Sequence, residues 1–283
     1  MKQKIGLVLT GGGMRCGYSA GALLALHEVY GFDEPYALGA ASGSAGNGFY
    51  YLSRQYTLAR KVWTKLLIDP GFLKPNGGVN VDYLIDTIFR KKATLDTKAI
   101  DKTKTKFFIP VTNVQTGATE FITNRSFFDY YEVLRAAKAL PIVYGKKVRL
   151  GLKRYIDGDM GENIEDLARK VLSTGVTTLI TINCEPPARD TVSKLFLTAK
   201  ALTSRRPLRM AMLRDLAVPP GLCPTRMSVR AYCISPSKPL KVRTMSGSNE
   251  TLTEAFNLGY ADVAGSRELQ ALFKHGSPRI QKG

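Results

Sequence analysis

The sequence predicts an α/β fold with a mainly parallel sheet that is covered by helices on both faces. Short apolar runs typical of buried strands alternate with helix-like segments, and 44% of the 283 residues are hydrophobic, enough for a full core. The predicted strands are Ile5–Leu9, Tyr36–Ala41, Lys106–Asn113, Ala118–Thr123, Arg154–Asp157, Thr177–Ile182 and Ser228–Ile234. The predicted helices are Arg15–Val29, Gly46–Leu67, Val81–Phe89, Ser126–Ala137, Asn163–Thr174 and a long stretch from Thr191 to Ala217.

The first strand runs into three consecutive glycines, Gly11, Gly12 and Gly13, and then into a helix. Glycine lets the backbone approach a ligand closely, and the free amide groups at a helix N-terminus point outward. The turn therefore predicts a site for negative charge. That charge is either a bound phosphate or an oxyanion that forms during a reaction.

The second strand ends in a turn of small residues that leads into the next helix. Small neighbours are what a nucleophile elbow needs, because the serine sits in a strained turn between a closely packed strand and helix. Ser42 and Ser44 both fit sterically. The local pattern favours Ser44, since Gly46 then supplies the last glycine of Gly-x-Ser-x-Gly.

Asp157 ends another apolar strand and is followed by a glycine. A serine hydroxyl needs a base to accept its proton, and that base is usually histidine. His27 lies within the first helix and His275 in the polar tail, so both are interpreted as surface or structural histidines. Asp157 is therefore the candidate base.

Together, the glycine triplet, the serine turn and the strand-end Asp-Gly resemble the patatin-like phospholipase family in order and spacing. The resemblance extends to the threonine-glycine hairpin at Thr112–Gly117, the segment Leu134–Pro141, and a last core strand leading to Ser235–Leu240. It covers nearly the whole chain to about Ala264.

The resemblance implies a three-layer α/β/α fold and a lipid acyl hydrolase with a Ser-Asp dyad, acting on a phospholipid or lysophospholipid. Asp157 would accept the serine proton, and the glycine loop from Gly11 to Met14 would form the oxyanion hole, with the amides of Gly12, Gly13 and Met14 as donors. Arg15 would fix this loop or meet a lipid phosphate. The implied chemistry needs no metal and no organic cofactor.

Three departures from the family pattern stand out. Gly-x-Ser-x-Gly is incomplete around either serine, but gap-free counting from the flanking strand and helix matches the family's serine to Ser42, which the resemblance therefore implies as the nucleophile, with Ser44 as the alternative. Asp159 replaces the second glycine of Asp-Gly-Gly, and Lys138 stands where the family usually has a small residue.

Two other functions also fit parts of the sequence. The glycine turn also resembles a dinucleotide-binding turn, but no acidic residue ends a second strand about 20 residues later. A patatin fold without activity, serving as a lipid- or protein-binding scaffold, remains the main alternative.

The chain is strongly basic, with 41 Lys and Arg against 23 Asp and Glu, a formal net charge of +18. This favours an anionic partner. The basic residues form small groups without a nucleic-acid-binding motif, so nucleic acid is not expected. In 191–217, cations alternate with apolar residues at spacings that suit a helical hairpin bent at Pro207, either lying on an anionic membrane or packed on the sheet.

No run of about 18 apolar residues and no signal-peptide pattern is present, which favours a cytoplasmic protein, with possible peripheral membrane binding. The four cysteines lack metal-binding spacing and are expected to be reduced, with a Cys223–Cys233 disulfide as the alternative. We expect residues 1–264 to form one domain and 265–283 a C-terminal helix and tail.

Overall fold

The computed structural model describes residues 3–74, 78–141, 144–158, 164–185, 191–217, 223 and 227–276. Eight strands form one mixed sheet: β1 (Ile5–Leu9), β2 (Ala37–Ala40), β3 (Lys106–Asn113), β4 (Thr119–Thr123), β5 (Val148–Leu150), β6 (Lys153–Asp157), β7 (Thr178–Ile182) and β8 (Arg230–Ile234). Strands β3, β2, β1, β7 and β8 pair in parallel, and β4, β5 and β6 are antiparallel additions at the β3 end.

The helices connect and cover these strands. A 3₁₀ turn at Gly13–Cys16 leads into α1 (Gly17–Tyr30), followed by α2 (Ser42–Leu52), α3 (Tyr56–Lys61, continued by a π turn at Val62–Leu66), α4 (Val81–Tyr83, continued by π-helical Leu84–Lys92), α5 (Thr97–Lys102), α6 (Tyr130–Ala136), α7 (Ile164–Leu172), α8 (Thr191–Thr203), α9 (Arg206–Ala217), α10 (Asn249–Ala264) and α11 (Arg267–Gly276). None of the helices in the described part of the chain is long and apolar enough to cross a membrane.

The sheet is buried on both faces, as predicted. In β1, Leu7 and Leu9 join the large core beneath α1 and α2, whereas Val8 points to the opposite face and packs with Leu167 and Val171 of α7. Successive residues of a strand alternate between faces, so an all-apolar strand indicates helices on both sides. The α/β fold with a mainly parallel sheet is confirmed.

Several predicted elements differ in detail. The predicted helix Gly46–Leu67 begins earlier, at Ser42, and is interrupted after Leu52, where Arg54 adopts a left-handed φ of 58°. The long stretch from Thr191 to Ala217 is divided into α8 and α9, but the break lies at Ser204 and Arg205 rather than at Pro207, which is the second residue of α9. Strand β5 and helices α5 and α10 were not predicted.

Helix α10 buries a stripe that mixes large apolar residues with a glycine, and it packs closely on α1. A Cβ on Gly21 of α1 would lie 1.8 Å from the Phe256 carbonyl oxygen, and one on Gly259 of α10 would lie 1.9 Å from that of Tyr18. The two backbones therefore approach at a distance that only glycine permits.

The expectation of four reduced cysteines is wrong for one pair. Cys223 and Cys233 form a disulfide, with Cα atoms 6.1 Å apart, which is within the reach of such a bridge. Cys16 and Cys184 are free and buried, in agreement with the prediction.

Candidate active site

Strand pairing along β3 brings two strand ends together. β4 occupies one edge of β3 over Phe108–Thr112. β2 pairs with β3 up to Phe108, and β6 pairs with it from Val111 to Asn113, so both must use the other edge. Because β2 runs parallel and β6 antiparallel to β3, their carboxyl ends point towards each other.

Ser42 begins α2 and is separated from the end of β2 by Ala41 alone. Its φ of 46° places it in the left-handed region, which is costly for a residue with a side chain and is typical of a strained elbow. The side chain is buried, and its Oγ donates a hydrogen bond of 2.8 Å to Oδ2 of Asp157, the last residue of β6.

The Asp157 carboxylate is fully buried, and its main chain is fixed on both sides. Its amide donates to the Ala139 carbonyl at 3.2 Å, and its carbonyl accepts from Thr112 Oγ1 at 3.0 Å. Gly158 is needed next, because a Cβ there would lie 2.5 Å from the Pro110 carbonyl oxygen. Asp159 lies outside the described residues.

Ser44 faces a different part of the interior. Its hydroxyl lies 2.8 Å from Ser19 Oγ and 3.9 Å from Cys184 Sγ. Ser19 Oγ also accepts from Asn47 Nδ2 at 2.9 Å. Ser44 is therefore part of a polar cluster that fixes α2 against α1, and the hydroxyl that contacts Asp157 is that of Ser42.

The glycine loop has an unusual backbone. Gly12 and Gly13 have φ values of 135° and 59°, and their amides have no hydrogen-bond acceptor among the described residues. The Met14 amide, by contrast, donates to the Thr244 carbonyl at 2.9 Å. Gly43, the residue after Ser42, also has an amide without an acceptor in the described chain, so Gly12, Gly13 and Gly43 leave three free donors near the Ser42 hydroxyl.

Arg15 anchors this loop to the segment between β8 and α10. Its Nη1 donates to Thr244 Oγ1 at 2.9 Å and lies 4.0 Å from Glu185 Oε2. These contacts link the glycine loop to Thr244. The carboxylate of Glu185 lies near the Arg15 guanidinium.

Ser42 opens onto a cavity with about 630 Å³ of empty space, including its open mouth. Its walls are mostly apolar, and Lys138 is the one cation among the described residues that line it. Burial raises the pKa of Tyr50, whose hydroxyl donates to the Ala93 carbonyl, so this phenol is neutral. The lining residues are Gly13, Met14, Ser42, Gly43, Asn47, Tyr50, Val62, Trp63, Leu67, Phe72, Val79, Val81, Leu84, Phe89, Lys138, Leu140, Thr244 and Met245.

His27 is held by contacts with two neighbouring side chains, away from Ser42 and Asp157. His27 Nδ1 is 2.6 Å from Asp33 Oδ1, and the ring stacks on Tyr56 with centroids 3.9 Å apart. The side chain of His275 is outside the described residues. No group of three or more metal-binding side chains occurs within the described ranges.

Three contributors to the site had no clear signal in the sequence. In the sequence Gly43 is only a small neighbour of the two serines. In the structure a Cβ there would lie 2.7 Å from the Gly13 carbonyl oxygen, so the close approach of the two loops requires a glycine. Thr244 belongs to a loop without a motif. Lys138 departs from the family pattern in the sequence, but only the tertiary fold shows that its Nζ donates to the Ser42 carbonyl.

Comparisons with known proteins agree with the fold. The sequence model of the patatin-like phospholipase family matches residues 7–167, more than half of the chain. The crystal structure of VipD from Legionella pneumophila is similar, with a TM-score of 0.50 and 16% sequence identity, over 97% of this chain and 67% of that one. At this identity the likeness concerns the fold alone. A search of curated proteins gives no match.

Proposed function

Because the chain belongs to the patatin-like phospholipase family, we propose that it hydrolyses carboxylic esters of phospholipids or lysophospholipids with Ser42 and Asp157. Lipid acyl hydrolysis is the activity of this family in general. The observation that carries the assignment is the 2.8 Å hydrogen bond from Ser42 Oγ to Asp157 Oδ2, in a buried site that opens onto an apolar cavity.

Acylation needs a proton acceptor and an oxyanion hole. Asp157 takes the proton of the Ser42 hydroxyl as Oγ attacks the ester carbonyl carbon. The amides of Gly12, Gly13 and Gly43 stabilise the negative charge that develops on the carbonyl oxygen. Asp157 then passes the proton to the departing glycerol oxygen, which leaves as a lysophospholipid from a phospholipid or as a glycerophosphodiester from a lysophospholipid, and the acyl group stays on Ser42.

Deacylation repeats these steps with water. Asp157 removes a proton from the water as its oxygen attacks the acyl carbon, and then returns a proton to Ser42 Oγ as the fatty acid departs. The apolar cavity beside Ser42 suits an acyl chain, because apolar walls bury its methylene groups. This lining supports a lipid rather than a small polar ester as substrate.

A fluorophosphonate probe tests the assignment, with the two neighbouring serines as matched variants. Ser42→Ala should abolish labelling and lower kcat on a soluble ester at least about 1,000-fold. Ser44→Ala should retain labelling, because it loses only a buried hydrogen bond worth about 1 kcal/mol. Asp157→Asn should fold but label very slowly.

Each other outcome is informative. A folded wild-type protein that neither labels nor hydrolyses any ester would overturn the hydrolase and favour the non-catalytic scaffold. Loss of labelling in Ser44→Ala, with Ser42→Ala labelled as wild type, would overturn the choice of nucleophile. Mass spectrometry of the labelled peptide locates the adduct directly.

We also propose that the hairpin of α8 and α9 contacts an anionic lipid surface. One side of it is buried, where Leu197, Leu208 and Met212 pack against Ile156, the residue before Asp157. Large apolar side chains remain exposed, with Leu195 at 71% and Leu202 at 65%. The other exposed members of this surface are Met210, Leu213, Lys194, Arg205, Arg206, Arg209 and Arg214.

This surface combines the two attractions that hold a peripheral protein on a membrane. Exposed apolar side chains enter the interface, and each cation near an anionic surface contributes about 1 kcal/mol. Binding to vesicles that contain phosphatidylglycerol should therefore weaken with salt. Leu202→Asp should reduce it about tenfold or more, whereas Val29→Asp, an exposed apolar residue on α1, should not. Equal effects of both substitutions would contradict the proposal.

A further inference from the structure

Lys138 is a buried lysine next to the proposed nucleophile. It follows α6, is 8% exposed, and its Nζ donates a 2.8 Å hydrogen bond to the main-chain carbonyl of Ser42. The next residue, Ala139, accepts the amide hydrogen of Asp157 through its carbonyl. Two consecutive residues of one segment therefore contact the main chains of both members of the dyad.

A buried ammonium such as that of Lys138 needs specific partners. Lysine side chains are almost never buried without a specific partner, because removing the charge from water is costly. Lys138 faces the cavity among mostly apolar neighbours, and a Cβ on Gly46 of α2 would lie 3.9 Å from its Nζ. This is an ordinary contact distance, so the lysine side chain lies alongside α2 and its Nζ reaches the Ser42 carbonyl.

The contact falls on the part of α2 that most needs restraint. Ser42 has a left-handed φ, and such conformations persist only where the surroundings impose them. A hydrogen bond from a charged donor to the carbonyl of this residue is stronger than one from a neutral donor. It restricts rotation of the Ser42 main chain and hence the direction of Oγ.

We infer that Lys138 is a positioning residue, whose ammonium holds Ser42 so that its Oγ stays within hydrogen-bond reach of Asp157. The inference rests on the proposed function, since it assigns a role within that dyad. A positioning role predicts a loss in kcat with little change in KM, because the lysine acts on the geometry of the reacting hydroxyl rather than on substrate affinity.

Charge and volume at this position can be separated by two variants. Lys138→Met keeps most of the side-chain volume and removes the ammonium, and should lower kcat on a soluble ester about 10- to 100-fold. Lys138→Ala should lose at least as much, but it leaves a space of the shape of propylammonium beside an open cavity. Millimolar propylammonium should restore part of kcat to Lys138→Ala and none to Lys138→Met.

The control is Lys147→Met, which removes an exposed lysine and should leave kcat unchanged. Wild-type kcat in folded Lys138→Met would overturn the inference, as would equal stimulation of both variants by the amine. A parallel loss of kcat and melting temperature without amine rescue would show a merely structural lysine. Absence of ester hydrolysis and labelling in the wild type would instead refute the proposed function, so the two failures are distinguishable.

Discussion

Gly13→Ala tests the glycine loop as an oxyanion hole. Gly13 has a φ of 59°, and a Cβ at this position would lie 2.2 Å from the Thr244 carbonyl oxygen. Close contacts between carbon and oxygen are about 3.3 Å, so the loop and Thr244 must separate by about 1 Å. The obstacle is backbone, and no change of side-chain rotamer relieves it.

The expected loss follows from this displacement. A shift of about 1 Å in a group that stabilises the transition state costs about 100-fold in rate, and loss of one oxyanion donor costs about 100- to 1,000-fold. We therefore expect kcat of Gly13→Ala on a soluble ester to fall about 100-fold or more. The left-handed alanine itself adds about 1 kcal/mol of destabilisation.

Gly31→Ala is the matched control. Gly31 ends α1 with the same φ of 59°, but a Cβ there would meet nothing within 4 Å. This variant should show the backbone cost alone, a decrease in melting temperature of about 2–4 °C, with kcat unchanged. Thr244→Gly in the Gly13→Ala background should not restore kcat, because it keeps the carbonyl that causes the clash. A folded Gly13→Ala protein with wild-type kcat would refute the reasoning.

Two further variants probe stability. Partial burial raises the pKa of the Glu120 carboxyl, but hydrogen bonds from groups including Asn113 and Tyr155 outweigh burial and lower it overall. The wild type should therefore be more stable than Glu120→Gln at neutral pH, and the difference in melting temperature should shrink as pH falls below the ordinary glutamate pKa of 4.5 and through the lowered pKa of this carboxyl; a pH-independent difference would contradict this. Asn47 accepts from Trp63 Nε1 at 2.7 Å and donates to the Cys16 carbonyl at 2.8 Å. Asn47→Ala leaves these buried groups unpaired and should lower the free energy of unfolding, measured in urea, by about 2–4 kcal/mol; a change below 1 kcal/mol would argue against this network.

The parallel part of the sheet was predictable because its strands carry a complete local signal. Ile5–Leu9 carries no polar side chain, and Thr178–Ile182 consists of β-branched residues and one leucine; both compositions are typical of strands buried on both faces. Strand β5 has only three residues, one of them an exposed arginine, and owes its pairing to β6. A strand of three residues is too short to show the alternation of apolar and polar side chains by which a strand is recognised in a sequence.

The two candidate serines show where local sequence stops being informative. The Gly-x-Ser-x-Gly pattern favours Ser44, whereas counting along the flanking strand and helix favours Ser42. The backbone conformation distinguishes the two serines: Ser42 takes the left-handed conformation at the turn, and Ser44 lies within the first turn of α2. Successive side chains of a helix are rotated by about 100° around its axis. Two residues are therefore enough for the Ser42 hydroxyl to contact Asp157 and the Ser44 hydroxyl to contact Ser19.

The geometry of the proposed dyad depends on strand pairing and cannot be predicted from either sequence segment alone. Ser42 and Asp157 are 115 residues apart, and they meet because β2 and β6 share one edge of β3 and end towards each other. A slip of β6 by one residue against β3 would turn the Asp157 side chain to the opposite face of the sheet. The contacts that fix this register, from Thr112 to the Asp157 carbonyl and from Asp157 to Ala139, are therefore as necessary to the site as the two side chains themselves.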